Sequence, residues 1–207
     1  MKFVSTKNKI EAEAEEAIFS GTASDGGLFM PSVIPKVEPS AYNNTENFQL
    51  FSNKMLGVFF KETVLEDDLN EIVSEALNFE VIQRDLSKDQ MSISLLELFH
   101  GPTAAFKDFG ARFLAASMSK IIKKQANPKA VTILVATSGD TGSAVASAFH
   151  NRQGFNVVVL FPNGRVSPRQ QHQLTCWGNN VVSVAVNGEF DDCQRLAKEA
   201  FAQEGKF

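Results

Sequence analysis

Three runs of branched apolar residues, "AVTILVA" at 130–136, "NVVVLF" at 156–161 and "NVVSVAV" at 180–186, alternate with stretches of helical periodicity. A run without polar alternation suits a strand buried on both faces, and parallel strands joined by crossover helices bury both faces. The intervening segments are "TGSAVASAFHNRQ", ended by Gly154, and "SPRQQHQLTCW", opened by Pro168. A helical "EFDDCQRLAKEAFAQ" follows the third run, and "FGARFLAASMSKIIKKQ" precedes the first and stops at Asn127-Pro128. This rhythm predicts an α/β fold, a three-layer αβα sandwich around a parallel sheet.

The first part of the chain reads differently. "IEAEAEEAIFSG" places Ile10, Ala14, Ala17 and Ile18 on one helical face and ends at Gly21. "SDGGLFMP" supplies a turn, Pro31 and Pro35 keep the chain extended, and residues 36–49 are polar and loop-like. Residues 51–79 carry a helical pattern broken near "ETVLEDDL", after which "DQMSISLLELF" reads as a strand entering a core. The expected organisation is a small, mainly α-helical N-terminal region over residues 1–80, followed by an α/β portion over residues 81–207. The chain closes on "LAKEAFAQEGKF", a helix and then residues that begin a new strand, so an interrupted C-terminal end is expected.

Composition narrows the function classes. Lysines and arginines are scattered over 207 residues with a net charge of −4, which points away from nucleic acid and from an anionic membrane as partners. Two cysteines without CxxC spacing, Cys176 and Cys193, argue against a disulfide framework or a zinc site, and no metal is expected. Cys176 reads as a small buried hydrophobe. Neither a long apolar run nor a signal-peptide core in "MKFVSTKNK" is present, and the expected location is cytoplasmic.

Two places hold chemistry. In "ELFHGPTAAFKDFGARF" (97–113), Lys107 lies among Ala104, Ala105, Phe106 and Phe109, where a solvated lysine is out of place. Such a lysine either snorkels to water or, partly desolvated, supplies a free amine for Schiff-base chemistry. His100 and Asp108 either orient it or cap its helix. The loop "ATSGDTGSAVA" (136–146) follows a strand and puts Thr137, Ser138, Gly139, Asp140, Thr141 and Gly142 at a helix N-terminus. There they are a plain cap or an anion site, and the loop matches neither GxGxxG nor a P-loop. A lysine opening one helix and an anion-binding turn opening the next, about 30 residues on, together fit a pyridoxal enzyme.

"ELFHGPTAAFKDFGARFLA" followed by "ATSGDTGSAVASAF" resembles threonine synthases, pyridoxal-phosphate enzymes of the tryptophan-synthase-β fold type. "FVSTKN…EAIFSGTASDGGLFMPSVIP" resembles the family's N-terminal segment, and "FPNGRVSPRQQHQLT" its later strand and helix, so the resemblance runs through the whole chain. It implies that Lys107 holds pyridoxal 5'-phosphate as a Schiff base and then moves protons on the substrate. That substrate would be O-phospho-L-homoserine, converted with water to L-threonine and phosphate, as in a carbon–oxygen lyase acting on phosphates. Ser138, Gly139, Asp140 and Thr141 match the loop facing the substrate carboxylate and the cofactor's ring hydroxyl; Thr137 joins them as a substrate-binding candidate. Phe106 either flanks the cofactor or packs structurally. Arg112 and Lys120 read as surface or structural, and His150 and His172 as surface. The family's chains are about twice as long, so a chain of this length is expected to bind the cofactor weakly and to turn over little. A related phospho-lyase, a serine/threonine dehydratase and a non-catalytic α/β fragment stay open, as do homodimer and monomer.

Overall fold

A computed structural model describes residues 1–43, 47–88 and 91–202. Two compact units divide the chain, Met1–Asn78 with Phe113–Ala126, and Phe79–Arg112 with the residues from Asn127 onward. The strand expected to begin near the C-terminus, like the first two residues of "DQMSISLLELF", lies outside the described residues.

The first unit opens with three short strands, β1 (Phe3–Ser5), β2 (Glu11–Ala12) and β3 (Phe29–Pro31), paired antiparallel in the order β2-β1-β3. Here the sequence expectation of a helix from Ile10 is corrected. "IEAEAEE" also alternates with period two, and Ala12 turns inward on β2 before α1 (Ala14–Ser20) begins. Gly21 ends α1 in the left-handed region at φ 65°, where glycine lacks the Cβ clash. A 3-10 turn at Pro39–Tyr42 interrupts the polar stretch. Helix α2 (Phe48–Phe60) starts at Asn47, whose side chain accepts from the Leu50 amide, and packs on α3 (Leu69–Ala76). Leu65, Leu69, Ile72, Val73 and Ala76 are buried.

Helix α4 (Lys107–Lys124) carries its last three turns in this unit, where the Phe60 and Phe113 rings lie 5.6 Å apart. Lys124 and Lys120 reach the Asp68 carboxylate at 2.6 and 3.3 Å, and Lys120 also pairs with Glu71. Lys124, then Lys120, holds the Asp68 carboxyl below its ordinary value, because both stabilise the charged form. Lys120 is therefore structural.

The second unit contains the open sheet. Strand β4 (Ile82–Asp85) pairs antiparallel with β5 (Ser94–Glu97), register Ile82↔Glu97. Although Leu95 and Leu96 are apolar, β5 does not enter a core. Leu95 and Leu96 are 46% and 54% exposed, and within the strand only Glu97 is buried. Strands β6 (Val131–Ala136), β7 (Phe155–Pro162) and β8 (Val181–Val186) are parallel in the order β6-β7-β8, in register at Val131↔Phe155 and Val157↔Val181. Helices α5 (Asp140–Phe149), α6 (Pro168–Thr175) and α7 (Phe190–Ala202) alternate with them.

Residue parity on β7 shows the layers. Val157, Val159 and Phe161 are buried on one face, where the Phe149 ring of α5 meets Phe155 at 5.1 Å. Leu160 on the other face packs with Cys193 and Ala197 of α7. Helices thus cover both faces, the three-layer α/β arrangement the sequence predicts. Two side-chain expectations are corrected. Cys176 is exposed at the end of α6, and the buried cysteine is Cys193, whose thiol is pushed up chiefly by burial. His150 is half-buried, its ring 5.1 Å from Trp177.

Candidate active site

The site candidates His100, Phe106, Lys107, Asp108 and residues 137–141 all fall in the second unit. Beyond β5 the chain turns through residues 98–106 before α4 begins. Buried Glu97 anchors this turn: its carboxylate pairs with Arg84 of β4 and meets His100 Nε2 at 2.7 Å. Arg84 first, then His100, draws the Glu97 carboxyl below its ordinary value. His100 is thus engaged by Glu97.

Asp108 is fully buried and accepts both the Thr103 amide at 2.9 Å and the Thr103 hydroxyl at 2.8 Å. Residue 101 is glycine for a steric reason, since a Cβ there would lie 2.5 Å from Asp108 Oδ2. Asp108 therefore ties down the turn that precedes its helix. Inside the turn Ala104 holds φ 57°, a left-handed conformation that costs an alanine about 1–2 kcal/mol. The two bonds to Asp108 hold the turn in that conformation. Lys107, the first residue of α4, is half-buried, with its ammonium 4.1 Å from the centroid of the exposed Phe106 ring.

The second element is the N-terminus of α5, reached directly from the carboxyl end of β6. Buried Thr137 accepts the amides of Gly139 and Gly142 at 3.0 and 2.9 Å, which shapes the turn. Ser138, Asp140 and Thr141 are exposed. Among the described residues the Asp140 and Thr141 amides, first and second in the helix, meet no hydrogen-bond acceptor, as the first turn of any helix leaves them. The partial positive charge of the helix end and these open amides favour an anion.

Two functional candidates escaped the sequence reading. Gln170 and Gln173 lie one turn apart on α6. Gln170 Nε2 donates to Asp140 Oδ1 at 3.1 Å, and Gln173 Nε2 donates to the Thr103 carbonyl at 3.4 Å. One helix therefore touches both site loops. The "SPRQ" capping-box pattern at 167–170 was the available signal for Gln170. Among the described residues no cluster of three or more His, Cys, Asp or Glu is placed to hold a metal, and no helix is long and apolar enough to cross a membrane.

An open parallel sheet whose first crossover helix presents free amides at the carboxyl end of β6 defines an α/β protein of the class that places its ligand crevice there. A family model described as "Pyridoxal-phosphate dependent enzyme" matches residues 85–207, and another, "Threonine synthase N terminus", matches residues 2–77. The chain belongs to the pyridoxal-phosphate dependent enzyme family. It is 39% identical over 205 residues to the threonine synthase of Buchnera aphidicola subsp. Acyrthosiphon pisum, covering 97% of this chain and 46% of that protein. The crystal structure of threonine synthase from Escherichia coli superposes with a TM-score of 0.87 at 38% identity, over 99% of this chain and 47% of that one. The PLP-bound threonine synthase from Brucella melitensis gives 0.83 at 34% identity, over 99% and 45%. The chain spans about half the length of the relatives it matches.

Proposed function

We propose that this chain carries the lysine-bearing part of a threonine synthase, a pyridoxal-phosphate-dependent carbon–oxygen lyase that converts O-phospho-L-homoserine and water to L-threonine and phosphate. One observation carries the proposal. Lys107 opens α4 half-buried over the Phe106 ring, in the same compact unit as an α5 N-terminus with open amides. Residues 81–207 form the cofactor-binding portion in this reading, with residues 1–80 as a separate N-terminal region. A cytoplasmic location accords with the chemistry. The occupant is a small phosphorylated amino acid.

The residues present fit pyridoxal phosphate. An amine free of ion-pair partners among the described residues stands beside an exposed aromatic face, and the small-residue turn at 138–141 leaves room for a carboxylate. Bound there, the cofactor supplies an electron sink for charge developing on the substrate carbons. Lys107 would hold it covalently, and the same amine, when free, would move protons at Cα, Cβ and Cγ of the substrate. Phe106 gives the ring a flat apolar neighbour. Ser138 and Thr141 would offer hydroxyls, and the α5 terminus its open amides, to the substrate carboxylate, in a turn that Thr137 shapes and whose Gly139 lets Gln170 approach closely. Asp140 would hold its carboxylate for the cofactor's ring hydroxyl. Asp108 and Thr103 fix the turn that aims the lysine.

Borohydride reduction of the protein with pyridoxal phosphate, followed by peptide mapping, tests this: the pyridoxyl group is expected on Lys107, and its arrival on another lysine sinks the assignment. Incubating the protein expressed from its own gene with O-phospho-L-homoserine should release phosphate and threonine together. Phosphate accompanied by 2-oxobutyrate without threonine would point to a phospho-lyase.

A further inference from the structure

The N-terminus of α5 contains a conflict. Asp140 is the first residue of the helix, where the partial positive charge of the free amides attracts an acidic side chain. Those amides are the ones an incoming carboxylate needs. The Asp140 carboxylate instead takes its hydrogen bond from Gln170 Nε2, 3.1 Å away on α6.

Gln170 is itself held in one orientation. Its Oε1 accepts the Ser167 amide at 3.2 Å and the Ser167 hydroxyl at 2.9 Å, which leaves the NH2 end pointing at Asp140. The approach is close: a Cβ on residue 139 would sit 2.4 Å from Gln170 Nε2, and Gly139 holds φ 146°, outside the range of side-chain-bearing residues. The α6 cap, the missing Cβ and the Asp140 hydrogen bond form one continuous arrangement.

We infer that Gln170 is a positioning residue that diverts the Asp140 carboxylate from the α5 amides, so that the helix end stays open to the carboxylate of a substrate. The inference rests on the function proposed above, and the test separates the two.

The informative substitution is Gln170→Glu. Glutamate accepts the same Ser167 bonds, so α6 keeps its cap, but it sets a carboxylate against that of Asp140. The cofactor-free Q170E chain is expected to melt a few degrees below the parent. Adding Asp140→Asn, which restores a donor–acceptor pair with the roles exchanged, is expected to return the melting temperature. That rescue shows only that residues 170 and 140 are coupled; affinity for the ligand is the readout that a merely structural hydrogen bond would not move. On protein reduced onto pyridoxal phosphate with borohydride, calorimetry should find O-phospho-L-homoserine bound about tenfold more weakly by Q170E than by the parent, with the pyridoxyl group still on Lys107. Equal melting and equal affinity in Q170E and parent would overturn the inference, as would a second substitution that restores neither. Failure of the parent to label Lys107 would instead remove the cofactor reading, while the melting cycle still decides whether Gln170 controls Asp140.

Discussion

The buried carboxylate of Asp108 takes both the amide and the hydroxyl of Thr103, at 2.9 and 2.8 Å, one residue away from Lys107. Burial makes this pair unequal to a surface contact, because water cannot replace either partner. Asp108→Ala should therefore destabilise the chain by about 3 kcal/mol in denaturant unfolding, and Thr103→Val by about 1–2 kcal/mol. A loss under 1 kcal/mol for both would mean that the turn is held by something else.

Gly101 offers a steric test of the same turn. Its missing Cβ leaves the space 2.5 Å from Asp108 Oδ2, and a fully buried carboxylate has nowhere to retreat. Gly101→Ala is expected to cost about 1–3 kcal/mol and to slow pyridoxyl labelling of Lys107. Tolerance of alanine, with unchanged labelling, would show that the turn adjusts freely.

Phe106 separates stability from chemistry. Its ring is 57% exposed and contributes little packing, while the Lys107 ammonium lies 4.1 Å from its centroid. Phe106→Ala should change folding stability by less than about 1 kcal/mol, yet alter the rate at which borohydride traps Lys107. A large stability loss would reassign the ring to the core.

Acid should weaken both units through carboxylates whose folded-state values lie below the unfolded ones. Asp68 is held down first by Lys124, and Glu97 first by Arg84. Their contribution is complete above about pH 4.5, the ordinary carboxylate range, and disappears as pH falls through the depressed folded values. Asp68→Asn should lower stability at pH 7 and flatten the acid side of the stability profile. An unchanged profile would show that the Lys120–Asp68–Lys124 cluster contributes nothing.

The strands β6, β7 and β8 were legible in the sequence because each is an unbroken apolar run, and burial on both sheet faces leaves no other use for such a run. Strands β1, β2 and β3 were not, since two or three residues carry no period of their own and pairing from elsewhere in the chain creates them. Hydrophobicity misled at Leu95 and Leu96, which form an exposed antiparallel ribbon with β4. Cys176 was misjudged for a positional reason. Cys193 shares its face of α7 with Ala197, four residues on, whereas Cys176 ends α6. Lys107 and the 137–141 turn stood out by being unusual in their surroundings. Gln170 and Gln173 did not, because glutamine is ordinary on a wet helix and only proximity reveals what it grips.

The contorted backbone at Ala104 gives the lysine turn the character of a sprung latch. Tension loaded into one alanine is discharged wherever the catch is weakest, and the catch here lies a single peptide from Lys107. Loosening it would swing that amine off its aim and weaken the fold together, so the accuracy of the nitrogen and the endurance of the chain share one fastening.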